Sequence, residues 1–310
     1  MPSSESQAFL RFFGPLIHKS TSQPEVWARP EVGSYLYESV HLLATEPEDV
    51  CYKTVNCPGT QQPAIWVTPI NADKAAMILY FHGGSFTAGS PSSHRKMVAH
   101  IAKAAGVQAV LIDYRKLPHH LYPAAHEDSV SAYRWLIESE GFLPSKIASM
   151  GDLAGVHLAM TLPHNAREAG LAPPGAVVAI SPWLDLETRN QGLDTFAHFD
   201  PTVNQGHLEK FCADYYVKNG GIRLTDPKIN VLYSDLSIYP PTYLCWGTNE
   251  ALQDNGPEFT ELATAAGADV ETEIVDGMYH CYTFMAGNAP EADTSIANIG
   301  DFLRRKLLKV

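Results

Sequence analysis

Two glycine-rich turns and one histidine hold the groups most suited to chemistry. The first turn is His82-Gly83-Gly84-Ser85-Phe86, at the end of the apolar run Ala76 to Phe81. The second is Gly151-Asp152-Leu153-Ala154-Gly155, between another apolar run and a helical pattern. A tight turn of this kind from strand into helix exposes its central side chain on strained backbone; its flanking positions are glycine because larger side chains would crowd it. The amides of Gly83, Gly84 and Ala154 are expected to point at one developing oxyanion, where each preorganised donor contributes roughly 2.7–4 kcal/mol. His280, 30 residues after Glu250 and 127 after Leu153, is the candidate base, with Glu250 its orienting carboxylate. A His–carboxylate pair works as a general base near neutral pH.

The central position of the second turn is a leucine. An isobutyl group has no lone pair and no proton to surrender, so no acyl-enzyme can form at Leu153. Ser149 lies in or just before the strand, and Ser85 belongs to the first glycine loop, so neither replaces it. His157, one helical turn past Leu153, is expected to point into helix packing. A base facing an oxyanion hole can still remove a proton α to a carbonyl and stabilise the enolate. Elimination, isomerisation and ring closure fit that inventory. Ser85, Phe86, Asp152, Tyr279 and Tyr282 are expected to contact the substrate, with Asp152 also hydrogen-bonding within its turn. Asp254 and Asp276 are runner-up partners for His280, and Asp113 and Arg115 are expected to pair. His94, His119 and His120 lack companions at metal-ligand spacing, so neither metal nor cofactor is expected.

These groups need a frame. From Lys74 onward, short apolar runs alternate with amphipathic stretches, the signature of a mostly parallel sheet with helices on both faces. The strands expected are Ala76 to Phe81, Val107 to Asp113, Lys146 to Met150, Ala176 to Ile180, Thr242 to Trp246 and Val270 to Val275. Val50 to Val55 and Ala64 to Thr68 read as an antiparallel entry to the sheet. Helical spacing covers Lys96 to Ala105 and His126 to Ser139. Two aromatic-rich stretches break the alternation: Ser6 to Glu46, with Phe9, Phe12, Phe13, Trp27, Tyr35 and Tyr37, and Leu186 to Tyr239, with Phe196, Phe199, Phe211, Tyr215 and Tyr216. They are expected to form a helical cap (1–46 and 186–239) over the sheet edge where ligands of open α/β sheets bind. The whole chain, 1–310, reads as one domain.

The chain has 310 residues, 45% of them hydrophobic, and a net charge of −12. That size buries most of its apolar surface without disulfide or metal staples, and the apolar fraction excludes disorder. An acidic chain whose only basic cluster is Arg304, Arg305, Lys306 and Lys309 lacks the footprint of a nucleic-acid binder. No apolar window reaches the ~18 residues of a membrane span, and no leader pattern opens the chain. Five cysteines without ligand spacing fit a reduced, cytoplasmic protein. The expected partner is a hydrophobic small molecule of the polyketide, terpenoid or alkaloid kind; a homodimer is left open.

Taken together, the motifs resemble the hormone-sensitive-lipase-like carboxylesterases of the α/β-hydrolase fold. His82-Gly83-Gly84-Ser85-Phe86 resembles the family's HGGGF motif, and Asp113-Tyr114-Arg115-Lys116-Leu117-Pro118 with Tyr122-Pro123-Ala124-Ala125 resembles its DYRLAPE…FPAA segment. Gly151-Asp152-Leu153-Ala154-Gly155 stands where the family has GDSAG. The segments around Glu250 and His280 resemble those bearing its acid and base. The resemblance implies an eight-stranded sheet, the order nucleophile–acid–base, and esterase chemistry that Leu153 interrupts. Val156 and Glu250 depart from the pattern as well, which favours divergence over deliberate inactivation. Three functions follow as expectations: a non-hydrolytic enzyme, a carboxylesterase inactivated at its nucleophile, or a small-molecule receptor with a dead site.

Overall fold

Val107–Asp113 and Ala176–Ile180 are apolar at nearly every position, which suits strands covered on both faces. Both are buried at every residue and lie inside an eight-stranded sheet. The computed structural model describes residues 2–8, 11, 37–189, 191–195, 200, 203 and 205–308. Its strands are β1 (Val50–Val55), β2 (Gln62–Pro69), β3 (Asp73–Phe81), β4 (Val107–Asp113), β5 (Ile147–Asp152), β6 (Ala176–Ile180), β7 (Thr242–Gly247) and β8 (Val270–Val275). Their order is β1-β2-β4-β3-β5-β6-β7-β8. β2 runs antiparallel to both β1 and β4, and every other pairing is parallel. The expected α/β-hydrolase sheet, with its antiparallel entry, is the one observed.

Helices flank it: α1 (Pro91–Ala105), α2 (Ala124–Glu138), α3 (Gly155–Glu168), the single turn α4 (Gly192–Thr195), α5 (Gln205–Phe211), α6 (Asn255–Ala265) and α7 (Pro290–Leu307). α1 opens on a reciprocal cap between Ser90 and Ser93, which satisfies amides that the first turn leaves unpaired. α7 buries Phe302, Leu303 and Leu307. Its basic face is paired at the surface, Arg305 with Glu271 and Lys306 with Asp269. Among the described residues, no helix is long and apolar enough to cross a membrane.

Parallel strands bring their carboxyl ends to one edge. The register sets Phe81 beside Gly151, Asp152 beside Ile180, and Gly247 beside Val275. The segments leaving that edge carry residues 82–86, 153–154, 181, 250 and 280. The stretch 186–239 has no strand among its described residues; α5 runs into a π-helical segment, Cys212–Asn219. From it the rings of Phe211 and Tyr215 reach Phe86, with centroids 5.6 and 5.5 Å away. Phe9, Phe12, Phe13, Trp27, Tyr35, Phe196 and Phe199 lie outside the described residues. Ser90 Oγ donates to Glu38 Oε2 at 2.7 Å, tying the chain beside Tyr37 to the start of α1.

Candidate active site

The second glycine turn connects β5 to α3. A Cβ on Gly155 would fall 2.0 Å from the Phe81 carbonyl oxygen, and one on Gly151 2.5 Å from that of Gly155, so strand and helix approach too closely for any side chain there. Between them Leu153 takes φ +46°, left-handed backbone that costs a residue other than glycine of order 1–3 kcal/mol. Its N–H donates to the Ile180 carbonyl at 3.2 Å, and its side chain is buried.

Glu250 follows β7 and His280 follows β8. His280 Nδ1 lies 3.1 Å from Glu250 Oε2. The other carboxylate oxygen accepts the Ser181 hydroxyl and the Gly247 N–H, both at 2.7 Å. Glu250 is fully buried and His280 is 7% exposed. Burial acts to lower the basicity of His280, but its neighbours Cys281 and Glu250 outweigh it and hold the imidazole well above its ordinary 6.5. With Nδ1 engaged, Nε2 is the remaining nitrogen, and it is buried without a hydrogen-bond partner among the described residues. His280 and Glu250 are thus brought together as expected, whereas Asp254 accepts the Gly192 N–H at 2.8 Å instead.

The first glycine loop corrects one expectation. The N–H of Gly83 donates to Asp152 Oδ1 at 2.9 Å, so this amide already has a partner. Among the described residues the amides of Gly84, Ser85 and Ala154 donate to none. Asp152 holds the loop from below, accepting the Tyr80 hydroxyl at 2.7 Å and facing His94 Nε2 at 3.3 Å. Burial would raise its carboxyl; His94, Tyr80 and the Gly83 amide outweigh that and hold it below its ordinary value. Asp152 is therefore a buried bracket for the loop.

Tyr279 and Tyr282 are a second correction. Both are buried in the cluster of Met278, Met285, Ala289 and Ala292 that joins β8 to α7. The Tyr282 hydroxyl meets Ser295 Oγ at 2.7 Å, and that of Tyr279 meets Met285 Sδ at 2.6 Å. Asp113 and Arg115 do not pair either: Asp113 binds Lys116, and Arg115 binds Asp128. Ser149 Oγ is committed to the Ala159 carbonyl at 2.9 Å. His157 sits edge-on to Trp183, centroids 4.6 Å apart, as its place in the helix packing implied.

Three further residues stand at the site without belonging to a sequence motif. Ser181, the first residue after β6, bridges Glu250 to the Cys281 N–H, which its Oγ accepts at 2.9 Å; its position at a strand end was the only signal. Cys281 turns its thiol to Asp152, with Sγ 3.9 Å from Oδ2. Burial pushes the Tyr37 phenol up to about 12.

Comparison with known proteins agrees with this fold. A family model described as the α/β-hydrolase fold matches residues 78–284. An acetyl-hydrolase of Streptomyces hygroscopicus is 34% identical over 241 residues, 78% of this chain and 79% of that protein. The chain belongs to the α/β-hydrolase family. Another member, an esterase of Acinetobacter venetianus, is 28% identical over 254 residues, 78% of this chain and 83% of its own. The crystal structure of an esterase from the bacterial hormone-sensitive lipase family superposes with a TM-score of 0.88 at 34% identity, covering 99% of both chains. In the α/β-hydrolase described here, a leucine, Leu153, stands at the centre of the turn between β5 and α3.

Proposed function

We propose that this α/β-hydrolase is an enzyme without an acyl-serine, performing non-hydrolytic acid/base chemistry on a hydrophobic, carbonyl-bearing small molecule. The observation that carries this reading is the buried Nε2 of His280, oriented through Nδ1 by Glu250, together with the amides of Gly84, Ser85 and Ala154, none of these groups having a hydrogen-bond partner among the described residues. His280 Nε2 takes a proton from the carbon α to the carbonyl. The carbonyl oxygen gains the charge and is held by the amides, in a buried setting where such donors count for most. The imidazolium then returns the proton to another carbon or to a leaving oxygen, completing isomerisation, ring closure or elimination. Leu153 lines this space with hydrocarbon and offers no atom for a covalent bond. The aromatic surroundings of Phe86 favour an apolar ligand with few polar groups.

One observation favours a second reading, an esterase whose nucleophile has been replaced: its relatives bear esterase and acetyl-hydrolase names. Incubation with hydrophobic ketones in D2O separates the two. Deuterium entering α to the carbonyl, and lost with His280→Ala, supports acid/base chemistry. No exchange above buffer with any ketone that stabilises the protein in thermal unfolding contradicts it.

A further inference from the structure

A group of buried polar atoms surrounds one ring of the glycine loop, and the acid/base chemistry uses none of them. Phe86 is fully buried. The rings of His126, His157, Tyr215 and Tyr216 stand about it, with centroids 6.1, 6.2, 5.5 and 6.5 Å away. They arrive from three elements: His126 from α2, His157 from α3, and both tyrosines from the π-helical segment Cys212–Asn219. All four are buried, His126 the most open at 5% exposed. Both ring nitrogens of His126, Nε2 of His157 and the hydroxyls of Tyr215 and Tyr216 lack a hydrogen-bond partner among the described residues.

Other buried tyrosines of this fold are satisfied. Tyr80 donates to Asp152, Tyr114 to the His82 carbonyl and Tyr133 to that of Ala172. Buried polar groups are nearly always paired, so an orphaned cluster calls for a ligand that completes it. The π-helix is itself a rare geometry, frequent at functional sites. Burial pushes both imidazoles down to about 3. Each is therefore neutral near pH 7, with one N–H and one acceptor nitrogen. Donors and acceptors are thus set among aromatic walls.

We propose that these four side chains form a specificity subsite for a phenolic ring of the substrate, binding its hydroxyl while its carbonyl lies on the amides of Gly84, Ser85 and Ala154. This rests on the acid/base reading for the carbonyl end and names the chemistry of the other end. A phenol hydroxyl donates and accepts, as the imidazoles and tyrosines require, and its ring packs on aromatic surface. A ligand without the hydroxyl leaves the cluster unpaired, which is how a site built for a hydroxyl rejects its deoxy analogue. Two backbone steps of about 3.8 Å separate Gly84 from Phe86, so one small molecule spans both ends.

The test measures binding of p-hydroxyacetophenone and p-hydroxybenzylacetone to the full chain, each against its deoxy parent, acetophenone or benzylacetone. In at least one pair the phenol is expected to bind about tenfold tighter, the size of effect one net hydrogen bond gives. That ratio should fall toward one in the double variant Tyr215→Phe with Tyr216→Phe, and in His126→Phe. The double variant should unfold at the wild-type temperature or above it, because the hydroxyls removed have no partner to lose. Equal affinities within both pairs overturn the proposal, as does failure of both phenols to bind. A ratio unchanged in both variants overturns it too, and a lowered unfolding temperature alongside assigns the hydroxyls to the fold alone. Deuterium exchange α to the carbonyl reads the other end separately. Exchange absent with the affinity ratio intact leaves the subsite standing; exchange present with equal affinities removes the subsite alone.

Discussion

His280 turns Nδ1 toward Glu250, 3.1 Å from Oε2, and this contact fixes which nitrogen is available for chemistry. The carboxylate is itself held by the Ser181 hydroxyl and the Gly247 amide, so its charge is directional and water-shielded. An imidazole locked through Nδ1 presents Nε2 as acceptor when neutral and as donor when protonated. Leu153 at the elbow provides no hydroxyl to occupy it.

The first prediction is a pH dependence. Since the imidazole is held well above 6.5, the base form appears only as pH rises through that elevated value. Any rate depending on His280 as base should therefore fall as pH drops through a limb above 6.5. The stability sign is opposite: the favoured imidazolium contributes fully below the unfolded value of about 6.5, and that contribution is lost as pH rises through the folded value. A pH–rate limb below 6.5 would contradict this.

Glu250→Gln should keep acceptors for Ser181 and Gly247 while removing the charge. The burial that opposes protonation of His280 then meets less resistance, and its proton affinity should fall. The NMR titration of the His280 ring should move to lower pH; an unchanged midpoint would show that Glu250 does not set its basicity.

Leu153→Ser should supply a hydroxyl on left-handed backbone beside the base. Fluorophosphonate labelling at position 153 is expected in the variant and not in the wild type, with serine-dependent p-nitrophenyl ester hydrolysis following the label. Emptying a core site costs about 2–5 kcal/mol in comparable truncations, so the thermal midpoint must be measured alongside. Labelling of the wild type within the elbow would sink the claim that no acyl-serine forms.

Asp152→Ala should destabilise strongly, because Tyr80, Gly83 and His94 all lose a buried charged acceptor. Breaking such a buried network by removing one partner costs about 3–5 kcal/mol. Tyr282→Phe, which loses one hydrogen bond to Ser295, should cost about 1 kcal/mol and leave ligand binding intact. Equal losses in denaturant unfolding would contradict the bracket role of Asp152.

Sequence legibility varied with the range of the interaction. β4, β6 and β8 could be bounded to the residue because burial or alternation along a strand is a local pattern. Gly151 and Gly155 were legible for the same reason: a tight turn advertises itself in neighbouring residues. The Gly83 amide is not legible in this way, because its acceptor, Asp152, lies on another strand. Closeness in sequence to His280 points Tyr279 and Tyr282 toward the site, but Cys281 adopts φ +55° and both rings pack in the cluster beside α7. Ser181 belongs to no motif; only the sheet register brings the end of β6 beside Glu250.

The most direct test of the central claim uses a ligand found by thermal-shift screening of metabolite mixtures, incubated with wild type and with His280→Ala and analysed for chemical conversion. The acid/base account predicts turnover by the wild type and a loss of about 10²–10⁴-fold in the variant, with binding little changed. Recovery of the ligand chemically unchanged from both proteins would contradict it and leave a binding protein with a hydrolase fold.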